Sequence, residues 1–580
     1  MALLTTDYTV EEIPHNEYPR PQQERKEWLN LNGTWDFAIT QKGEDATEFA
    51  KILVPFSPET VSSKVGEGFC LTKDEMLTYV RTFRLDKPFL KDVTLLHFTA
   101  VDGVCEVFVN GIKVGEHVSA FIPFTLDVSS AVKEGENLIK VLVYSKPDQG
   151  LKGKQSKNRG GIWYTEQSGI NQTVWIESLC ENYIRALKYN IDAKNNKVTL
   201  GAFSNGQIQT VRVYDNGRQI LSKQFVSQVE LFYNYELWSP ENPKLYDVVI
   251  TNESGDEVKS YFGVRSFSTG VDEKGKHRLL LNNKPYFFTG VLDQGYWPEG
   301  LLTYPSDQAI IDELTMLKKM GFNTVRKHIK IEPMRWYYHC DRLGLVVWQD
   351  FVNGGGDYKF THVALFPFLG IRHNDNDYKY FARENMSERE NFINDCKDTV
   401  ETLYNCTSLG LWTIFNEGWG QFDSFFMTNI LKSLDDSRII DSVSGWHDQG
   451  KEKTTLKSLH TYYTPLVVPK DERPVILSEF GGYSMKIDGH VFDDEKEFGY
   501  KKFKNKQKLE NALEKLYKNK VAPLIKKGLC ACIYTQVSDV EEEINGLVTY
   551  DRKIIKVDEY KMKEFNDALI KSANESFYSR

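Results

Sequence analysis

Two segments of the chain read LGLWTIFNE (residues 409–417) and PVILSEFG (474–481), apolar runs that each carry a glutamate. They belong to a series of eight such runs after residue 271, separated by amphipathic stretches of helix length. Near-continuous apolar strands that alternate with helices are typical of a parallel sheet covered on both faces. Because eight strands close a barrel, the pattern predicts a C-terminal (β/α)8 TIM barrel over residues 271–580.

The remaining parts of the predicted barrel are read in the same way. The other six candidate strands are PYFFTGV (285–291), NTVRK (323–327), LVVWQD (345–350), RIIDSVSG (438–445), SLHTYY (458–463) and LCACIYTQVSD (529–539). Helices are predicted over residues 307–320, 332–343, 383–404 and 502–518. The interval 351–382 is long and rich in Gly, His, Asp and aromatic residues. Long loops that follow barrel strands are usually functional, so we expect this one to lie near a site.

The first 270 residues have a different pattern, in which short segments alternate between apolar and polar residues. Asn110-Gly111 and Asn216-Gly217 stand between pairs of such segments, which is the strongest short-range signal for a hairpin. We expect a jelly-roll-like, sugar-binding-like β-sandwich over residues 1–180. A smaller strand series predicts an immunoglobulin-like β-sandwich over residues 181–270. The sequence therefore predicts a multidomain protein of two sandwiches and a barrel.

The amino-acid composition limits the classes of molecule that the protein is expected to bind. The net charge of -9 argues against nucleic acid and anionic membranes, and no stretch approaches 18 consecutive apolar residues. The start lacks the charged and apolar regions of a secretory signal, so we expect a cytoplasmic protein. Aromatic residues make up 13% of the chain, which suits carbohydrate sites but also sandwich cores. Cys530 and Cys532 stand in an apolar run and are predicted to be buried strand thiols rather than a metal or redox site.

Barrel active sites lie at the C-terminal ends of the strands, so the polar residues there are the candidates. They are His328, Asp350, Asn416, Glu417, Tyr462, Tyr463, Glu479 and Asp539. Glu417 and Glu479 follow strongly apolar runs, where an ionised carboxylate is costly unless it is partnered or used. The fourth and seventh strands face each other across a barrel, and glycoside hydrolysis needs two carboxyl groups that flank one bond. The alternative is a buried ion pair, for example with Arg326.

The chain resembles glycoside hydrolase family 2, which holds β-galactosidases, β-glucuronidases and β-mannosidases. The resemblance covers essentially the whole chain and is carried by LNGTWDF (31–37), FTAVDGVCEVFVNGIKVGEH (98–117), GGIWYTEQSGINQTVWIE (160–177), NTVRKHIKIEP (323–333), WTIFNEGWGQ (412–421) and PVILSEFGG (474–482). The last two are the most specific. They imply that Glu417 is the general acid/base and Glu479 the nucleophile of a retaining, exo-acting glycosidase.

The resemblance also implies roles for neighbouring residues. Asn416 would bond the sugar 2-hydroxyl, and Tyr462 would bond the nucleophile. Further candidate substrate contacts are His328, Asp350, His460 and Trp446. Repulsion from the ionised Glu479 is expected to keep Glu417 protonated until the sugar esterifies the nucleophile, after which Glu417 can act as a base.

Specificity is harder to read. In the β-glucuronidase branch an Asn-x-Lys element after strand eight holds the uronic carboxylate, and this chain places Glu543-Ile544-Asn545 there. An acidic residue would repel a carboxylate, so a neutral sugar such as galactose is favoured over a uronic acid. β-Glucuronidase, β-mannosidase and α-L-arabinofuranosidase activities stay as alternatives. The Gly-rich loop 159–169 is predicted to reach the barrel mouth, where Trp163 and Tyr164 would pack the domain interface or contact substrate.

No metal or organic cofactor is expected. The acidic segment DVEEEINGLVTYD (539–551) lacks the spacing of a calcium loop and is interpreted as a solvated loop. The expected partner is a small carbohydrate, and a homo-oligomer is possible. Two other classes of function stay open: a carbohydrate-binding protein without catalysis, and a transglycosylase that keeps both glutamates but excludes water.

Overall fold

The computed structural model describes residues 4–66, 68–146 and 150–578. Its N-terminal part is a β-sandwich of two antiparallel sheets. The six-stranded sheet contains Ala50–Val54, Gly33–Gln41, Glu75–Leu85, Gly135–Tyr144, Val104–Val109 and Ile112–His117, in that order. The four-stranded sheet contains Leu29–Asn30, Val174–Leu179, Val93–Phe98 and Phe124–Asp127. Side chains that alternate inward from both sheets, such as Leu77, Val107 and Ile176, form the core.

A second sandwich of three and four strands follows. The smaller sheet contains Ala186–Asp192, Lys197–Phe203 and Gln228–Phe232, and the larger contains Arg218–Phe225, Gln209–Asp215, Tyr246–Asn252 and Glu257–Phe262. Both predicted Asn-Gly turns are confirmed. Asn110 and Gly111 have φ angles of 49° and 83°, and Asn216 and Gly217 have 48° and 78°. Two left-handed residues in succession are what the tightest hairpin turn requires.

Eight parallel strands then form the barrel. They are β1 (Phe288–Asp293), β2 (Thr324–Lys327), β3 (Val346–Asp350), β4 (Leu409–Asn416), β5 (Ile439–Ser444), β6 (Lys457–Thr461), β7 (Val475–Gly481) and β8 (Leu529–Thr535). Their order is β5-β4-β3-β2-β1-β8-β7-β6. Only β5 and β6 are not paired by a ladder among the described residues, and there Ser458 donates a hydrogen bond to Ser444 across 3.4 Å. The predicted barrel of eight strands is confirmed.

Helices cover the outside of the barrel. The six longest are α1 (Asp307–Lys319), α2 (Met334–Leu343), α3 (Met386–Leu403), α4 (Ser424–Leu434), α5 (Lys506–Glu514) and α6 (Glu559–Tyr578). Within the described part of the chain, β5 and β6 are followed by loops instead. The first connection is broken by Gly445 and Gly450, and the second by Pro465 and Pro469, which interrupt helical hydrogen bonding. No helix among the described residues is long and apolar enough to cross a bilayer.

The barrel interior contains a cluster of apolar side chains from several strands, including Leu292, Trp348, Leu411 and Ile533. Cys530 belongs to this interior cluster, and Cys532 points outward to the core beneath the helices. Both thiols are buried and unpaired, as predicted.

A buried ionic cluster joins the chain before the first sandwich to both sandwiches. Arg25 donates to both oxygens of Asp256 at 2.9 Å and lies 3.6 Å from Glu177. Glu177 also pairs with Arg20. Because all partners except Arg20 are almost fully buried, these charges depend on one another for compensation.

The first sandwich reaches the C-terminal mouth of the barrel. The backbone amides of Lys152 and Gly153 donate to the Asn353 carbonyl at 3.0 and 3.1 Å. Further along, the amides of Gly161 and Thr165 donate to the side chains of Glu542 and Glu541 at 3.0 and 2.9 Å. The segment 150–165, which we call the sandwich loop, is therefore anchored at two places beside the strand ends.

Candidate active site

Glu479 lies within β7, near its C-terminal end, and is 5% exposed. Its Oε1 accepts a hydrogen bond from Arg326 at 3.1 Å, and its Oε2 accepts one from Tyr462 at 2.5 Å. Burial acts to raise the pKa of Glu479, but the charges of His460 and Arg326 outweigh burial and hold the pKa below its usual range. The carboxylate is therefore ionised at neutral pH, and the ion pair with Arg326 considered above is present.

Glu417 follows β4 directly and has a left-handed backbone with φ of 51°. The turn places its side chain at the barrel mouth, where it is 13% exposed. Its Oε1 lies 2.6 Å from Nδ1 of His460. Its Oε2 has no hydrogen-bond partner among the residues that the structure describes, so this oxygen can exchange a proton with a ligand.

His460 stands between the two glutamates. Its Nδ1 faces Glu417, and its Nε2 lies 3.0 Å from Ser444 Oγ and 3.5 Å from Glu479 Oε1. The acceptor atoms of Glu417, His460 and Glu479 lie within 4.8 Å of one another, an arrangement that could also hold a metal ion. Arg326 and Tyr462 already bond Glu479, so ordinary protein contacts account for the cluster without a cation.

The neighbouring glycine explains how the imidazole approaches so closely. Gly445 has φ of +84°, and a Cβ atom built on it would stand 2.7 to 2.8 Å from ring atoms of His460. Trp446, the next residue, packs edge-on against the same ring with centroids 5.6 Å apart. The sequence-predicted residues His460 and Trp446 thus come together, with the tryptophan behind the histidine.

Arg326 on β2 joins the predicted residues into one network. It donates to Asn416 Oδ1 at 2.8 Å and to Asp350 at 2.9 Å, as well as to Glu479. Asp350 also lies 2.7 Å from Nδ1 of His328. The Nδ2 amide group of Asn416 is buried and has no partner, which leaves a donor available at the site. Burial lowers the pKa of His328, so this imidazole is neutral at pH 7.

Tyr462 is held by a second tyrosine. Its ring stacks on that of Tyr500 with centroids 3.7 Å apart and planes 2° from parallel. The stack keeps the phenol directed at Glu479. Burial raises the pKa of Tyr462 well above its ordinary value, and the charge of Glu479 adds to that effect, so the phenol is a hydrogen-bond donor throughout the working pH range.

An aromatic wall closes one side of the mouth. Trp419, two residues after Glu417, packs against Trp163 of the sandwich loop at 5.0 Å and against Tyr358 of the loop after β3. His328 lies 6.2 Å from the Trp419 ring. Both long loops predicted to lie near the site therefore border it.

Lys154 and Glu543 bring an amine and a carboxyl group to this wall, and burial lowers the pKa of the first and raises the pKa of the second. Lys154 is 4% exposed, and its Nζ lies 4.6 Å from the ring centroid of Trp419. Glu543 is buried and accepts hydrogen bonds from Tyr164 and from Asn545. Tyr164 itself is completely buried, which supports the packing role predicted for it.

The prediction of a solvated loop over residues 539–551 is wrong, because Asp539, Glu541 and Glu543 are each only 2% exposed. Their carboxyl groups can be buried because each accepts hydrogen bonds from within the protein.

Sequence reasoning missed part of this site. Tyr500 and Trp419 stand in irregular segments, and Lys154 comes from another domain, so no strand-end rule selects them. Arg326 was considered only as an ion-pair partner. One signal was available: a fully buried arginine inside an apolar strand requires anionic partners, and these had to be strand-end carboxylates.

Protein-family descriptions match most of the chain, between residues 68 and 565. The description "Glycosyl hydrolase 2 galactose-binding domain-like" matches residues 68–201, and "Glycosyl hydrolases family 2" matches residues 182–265. The description "Glycosyl hydrolases family 2, TIM barrel domain" matches residues 273–565, about half of the chain by itself.

Curated relatives are distant. A β-galactosidase of Thermoanaerobacter pseudethanolicus is 23% identical over 406 residues, which is 66% of this chain and 50% of the relative. A β-galactosidase of Leuconostoc mesenteroides is 25% identical over 470 residues, 72% of this chain and 43% of the relative. A putative β-glucuronidase of Formosa agariphila is 25% identical over 443 residues, 67% and 48% of the two chains. The chain spans about half the length of the curated relatives it matches.

Solved structures share the fold over the full length. A β-D-glucuronidase of Dictyoglomus thermophilum superposes with a TM-score of 0.73 at 18% identity, covering 95% of this chain and 98% of that one. A β-galacturonidase of Eisenbergiella tayi gives 0.68 at 18% identity, with 96% and 98% covered. These identities establish the architecture of two sandwiches and a barrel. The match of the family's barrel domain over residues 273–565, half of the chain, shows that the chain belongs to glycoside hydrolase family 2.

Proposed function

We propose that the protein is a retaining, exo-acting glycoside hydrolase that releases a terminal neutral sugar by double displacement. The observation that carries this proposal is the approach of Glu417 and Glu479, whose facing oxygens lie within 4.8 Å. Retaining enzymes hold their two carboxyl groups about 5 to 5.5 Å apart, whereas inverting enzymes leave about 6.5 to 9.5 Å for a water molecule. The spacing therefore favours attack by a carboxylate over attack by water.

Glu479 is proposed as the nucleophile. A nucleophilic carboxylate must be ionised and held in one orientation. Arg326 and Tyr462 each donate a hydrogen bond to one of its oxygens, which stabilises the negative charge and fixes the orientation. Attack by this carboxylate on the anomeric carbon would form a glycosyl ester and break the bond to the departing oxygen.

Glu417 is proposed as the general acid/base. Its Oε2 is open at the mouth, where it can reach the departing oxygen of a bound glycoside. In the first step Glu417 would give a proton to the departing alcohol. In the second step it would take a proton from water as the water attacks the glycosyl ester of Glu479.

The remaining predicted residues have supporting positions. We propose that the free Nδ2 of Asn416 donates to a sugar hydroxyl and that Tyr462 bonds the nucleophile. His328 and Asp350, which are bonded to each other, and His460 with Trp446 would border the sugar. The aromatic wall on one side suits a pocket that admits one terminal residue of a saccharide.

A β-galactoside is the proposed substrate. Glu543 brings a carboxylate to the place where an acidic sugar would need a cation, and its position beside Tyr164 keeps it there. β-Glucuronidase, β-mannosidase and α-L-arabinofuranosidase activities are the alternatives. Two of the curated relatives above bear the name β-galactosidase and one the name putative β-glucuronidase.

A panel of nitrophenyl glycosides tests the proposal. We expect turnover of the β-galactoside to exceed turnover of the β-glucuronide, the β-mannoside and the α-L-arabinofuranoside, with the first-released sugar in the β configuration by NMR. Release of the α anomer would contradict a retaining mechanism. Binding of sugars without turnover of any glycoside would instead indicate a carbohydrate-binding protein, and transfer products without free sugar would indicate a transglycosylase.

The two glutamates can be separated by substitution. We expect Glu479→Ala to abolish turnover of every substrate, and Glu417→Ala to retain the first step when the leaving group is good. Azide should rescue Glu417→Ala and give a β-glycosyl azide, because azide attacks the ester without needing a base. An azide product of the opposite anomeric configuration would mean that the two roles are wrongly assigned.

Three sequence-based predictions stay open. We propose that the domains divide near residues 180 and 270. A homo-oligomer and a cytoplasmic location stay predictions.

A further inference from the structure

Lys154 is a buried cation without a conventional partner. Among the residues that the structure describes, none hydrogen-bonds or ion-pairs with its Nζ. Its Nζ is surrounded by ring faces, 4.6 Å from Trp419, 5.2 Å from Trp163 and 5.7 Å from Tyr164. Ring faces attract the charge but leave the three N–H donors without a strong acceptor.

This lysine lies at the active site although it belongs to the first sandwich. Trp419, its nearest ring, follows Glu417 by two residues. Burial lowers the pKa of Lys154, and the carboxylates that oppose this are, in order, Glu543, Glu417 and Glu479. The ammonium is therefore within electrostatic reach of both proposed catalytic groups.

Glu543 supplies the hydrogen-bond acceptors that Lys154 lacks. Each of its oxygens accepts one hydrogen bond, from Tyr164 or Asn545, and a carboxylate has about four acceptor positions. A sugar hydroxyl needs both a donor for its oxygen and an acceptor for its hydrogen. Lys154 offers the first and Glu543 the second, on the same side of the site.

We propose that Lys154 binds a hydroxyl oxygen of the terminal sugar and, together with Glu543, makes the site selective for a neutral sugar. The first sandwich thereby contributes a specificity-determining residue to the barrel's active site. This inference rests on the proposed function and assigns part of its specificity to a different domain.

The alternative ligand for the lysine is a sugar carboxylate. A carboxylate only accepts hydrogen bonds, so it would leave the acceptors of Glu543 unused and add a like charge beside them. A hydroxyl meets both groups without adding charge, and this difference favours the neutral sugar.

The test compares Lys154→Met with the wild type on nitrophenyl β-galactoside and its 3-, 4- and 6-deoxy analogues. Methionine keeps an apolar chain against the rings and removes the donor. We expect kcat/KM for the parent to fall about 10- to 100-fold, as for a lost hydrogen bond to a charged group. For the one analogue that lacks the contacted hydroxyl, variant and wild type should differ by less than about threefold.

Lys152→Met is the matched control. Lys152 lies two residues away, and its Nζ already has an acceptor, the Gly356 carbonyl at 3.5 Å. We expect its kinetics to stay within about twofold of the wild type on all four substrates. Should Lys154→Met melt at a lower temperature than the wild type, Lys154→Leu, which also removes the donor and keeps an apolar side chain, replaces it in the same series.

Two results would overturn the inference. Equal losses on the parent and on every deoxy analogue would mean that Lys154 only packs between the rings. A wild type that prefers nitrophenyl β-galacturonide, with a preference that Lys154→Met abolishes, would mean that the lysine binds a carboxylate.

The failure of the proposed function is recognised separately. If the wild type cleaves another neutral glycoside better, the deoxy series of that sugar is used. If it cleaves none, calorimetry of galactose and its deoxy derivatives with the wild type and Lys154→Met decides the inference, and a loss of affinity that no single deoxy position matches would overturn it.

Discussion

Ionisation at one residue, Glu479, controls the chemistry that we propose. Its oxygens are shared between an arginine and a phenol, so its negative charge is stabilised twice inside a buried site. A group whose pKa is depressed in this way stays ionised as the pH falls through the ordinary range of glutamate, near 4.5, and gains its proton only below it. The acid limb of kcat/KM should therefore lie below about pH 4.5.

Removing the phenol oxygen of Tyr462 should shift the acid limb of kcat/KM. Tyr462→Phe deletes the hydrogen bond to Glu479 and keeps the ring stacked on Tyr500, so the pKa of Glu479 rises. We expect the acid limb to shift upward by about one pH unit, the equivalent of about 1.4 kcal/mol. The measurement is kcat/KM from pH 3 to 8. Tyr463→Phe, whose side chain is 66% exposed, is the control and should leave the profile unchanged; a downward shift in Tyr462→Phe would contradict the assignment.

At the scale of elements, the connection after β5 positions the imidazole between the glutamates. Gly445→Ala would place a methyl group against His460 in a backbone conformation that alanine tolerates poorly. We expect destabilisation of about 1 to 3 kcal/mol and a loss of activity larger than this destabilisation can explain, since the ring must move. Thermal unfolding and kcat/KM measured together check this.

Gly450→Ala is the matched control in the same loop. Gly450 also has a left-handed backbone, with φ of +89°, but a Cβ there would meet nothing within 4 Å. The variant should lose only the stability that alanine costs in a left-handed backbone conformation, and it should keep full activity. Equal activity losses in the two variants would mean that the loop conformation, not contact with His460, is what matters.

The elements themselves were largely predictable. All eight barrel strands begin and end within a few residues of the apolar runs, because parallel strands buried on both faces admit few polar residues. The missing helices after β5 and β6 follow from Gly and Pro in short connections. What no local pattern could reveal is the contact between Lys154 and Trp419, or the stack of Tyr462 on Tyr500, since each joins segments that only the closed barrel and the docked sandwich bring together.

At the scale of the whole molecule, the buried cluster around Arg25 fixes the first sandwich to the second. Arg25→Met would leave Asp256 without its arginine in a buried place. We expect the first unfolding transition to lose about 3 to 5 kcal/mol at pH 7, measured by urea denaturation. Lys51→Met removes an exposed pair with Asp36 and should change nothing measurable.

The same cluster sets the acid sensitivity of the junction. Burial acts to raise the pKa of Glu177, but Arg20, His97 and Arg25 outweigh it and hold the pKa far below the ordinary value of 4.5. Its contribution to stability is therefore complete above about pH 4.5 and declines as the pH falls towards the folded-state pKa. Unfolding measured at pH 7 and pH 4 should differ less in Arg25→Met than in the wild type, and an unchanged difference would exclude this link.

The left-handed backbone of Glu417 lowers the stability of the fold at the residue that we propose for proton transfer. A glycine would adopt a φ of 51° without penalty, whereas a glutamate costs on the order of 1 kcal/mol there. Selection for robustness alone would thus replace the residue that we propose as the general acid/base. An ancestral or redesigned barrel that drifted to glycine at this position would gain durability and lose turnover in a single step, which makes position 417 a sensitive marker of whether a related barrel is still under selection for catalysis.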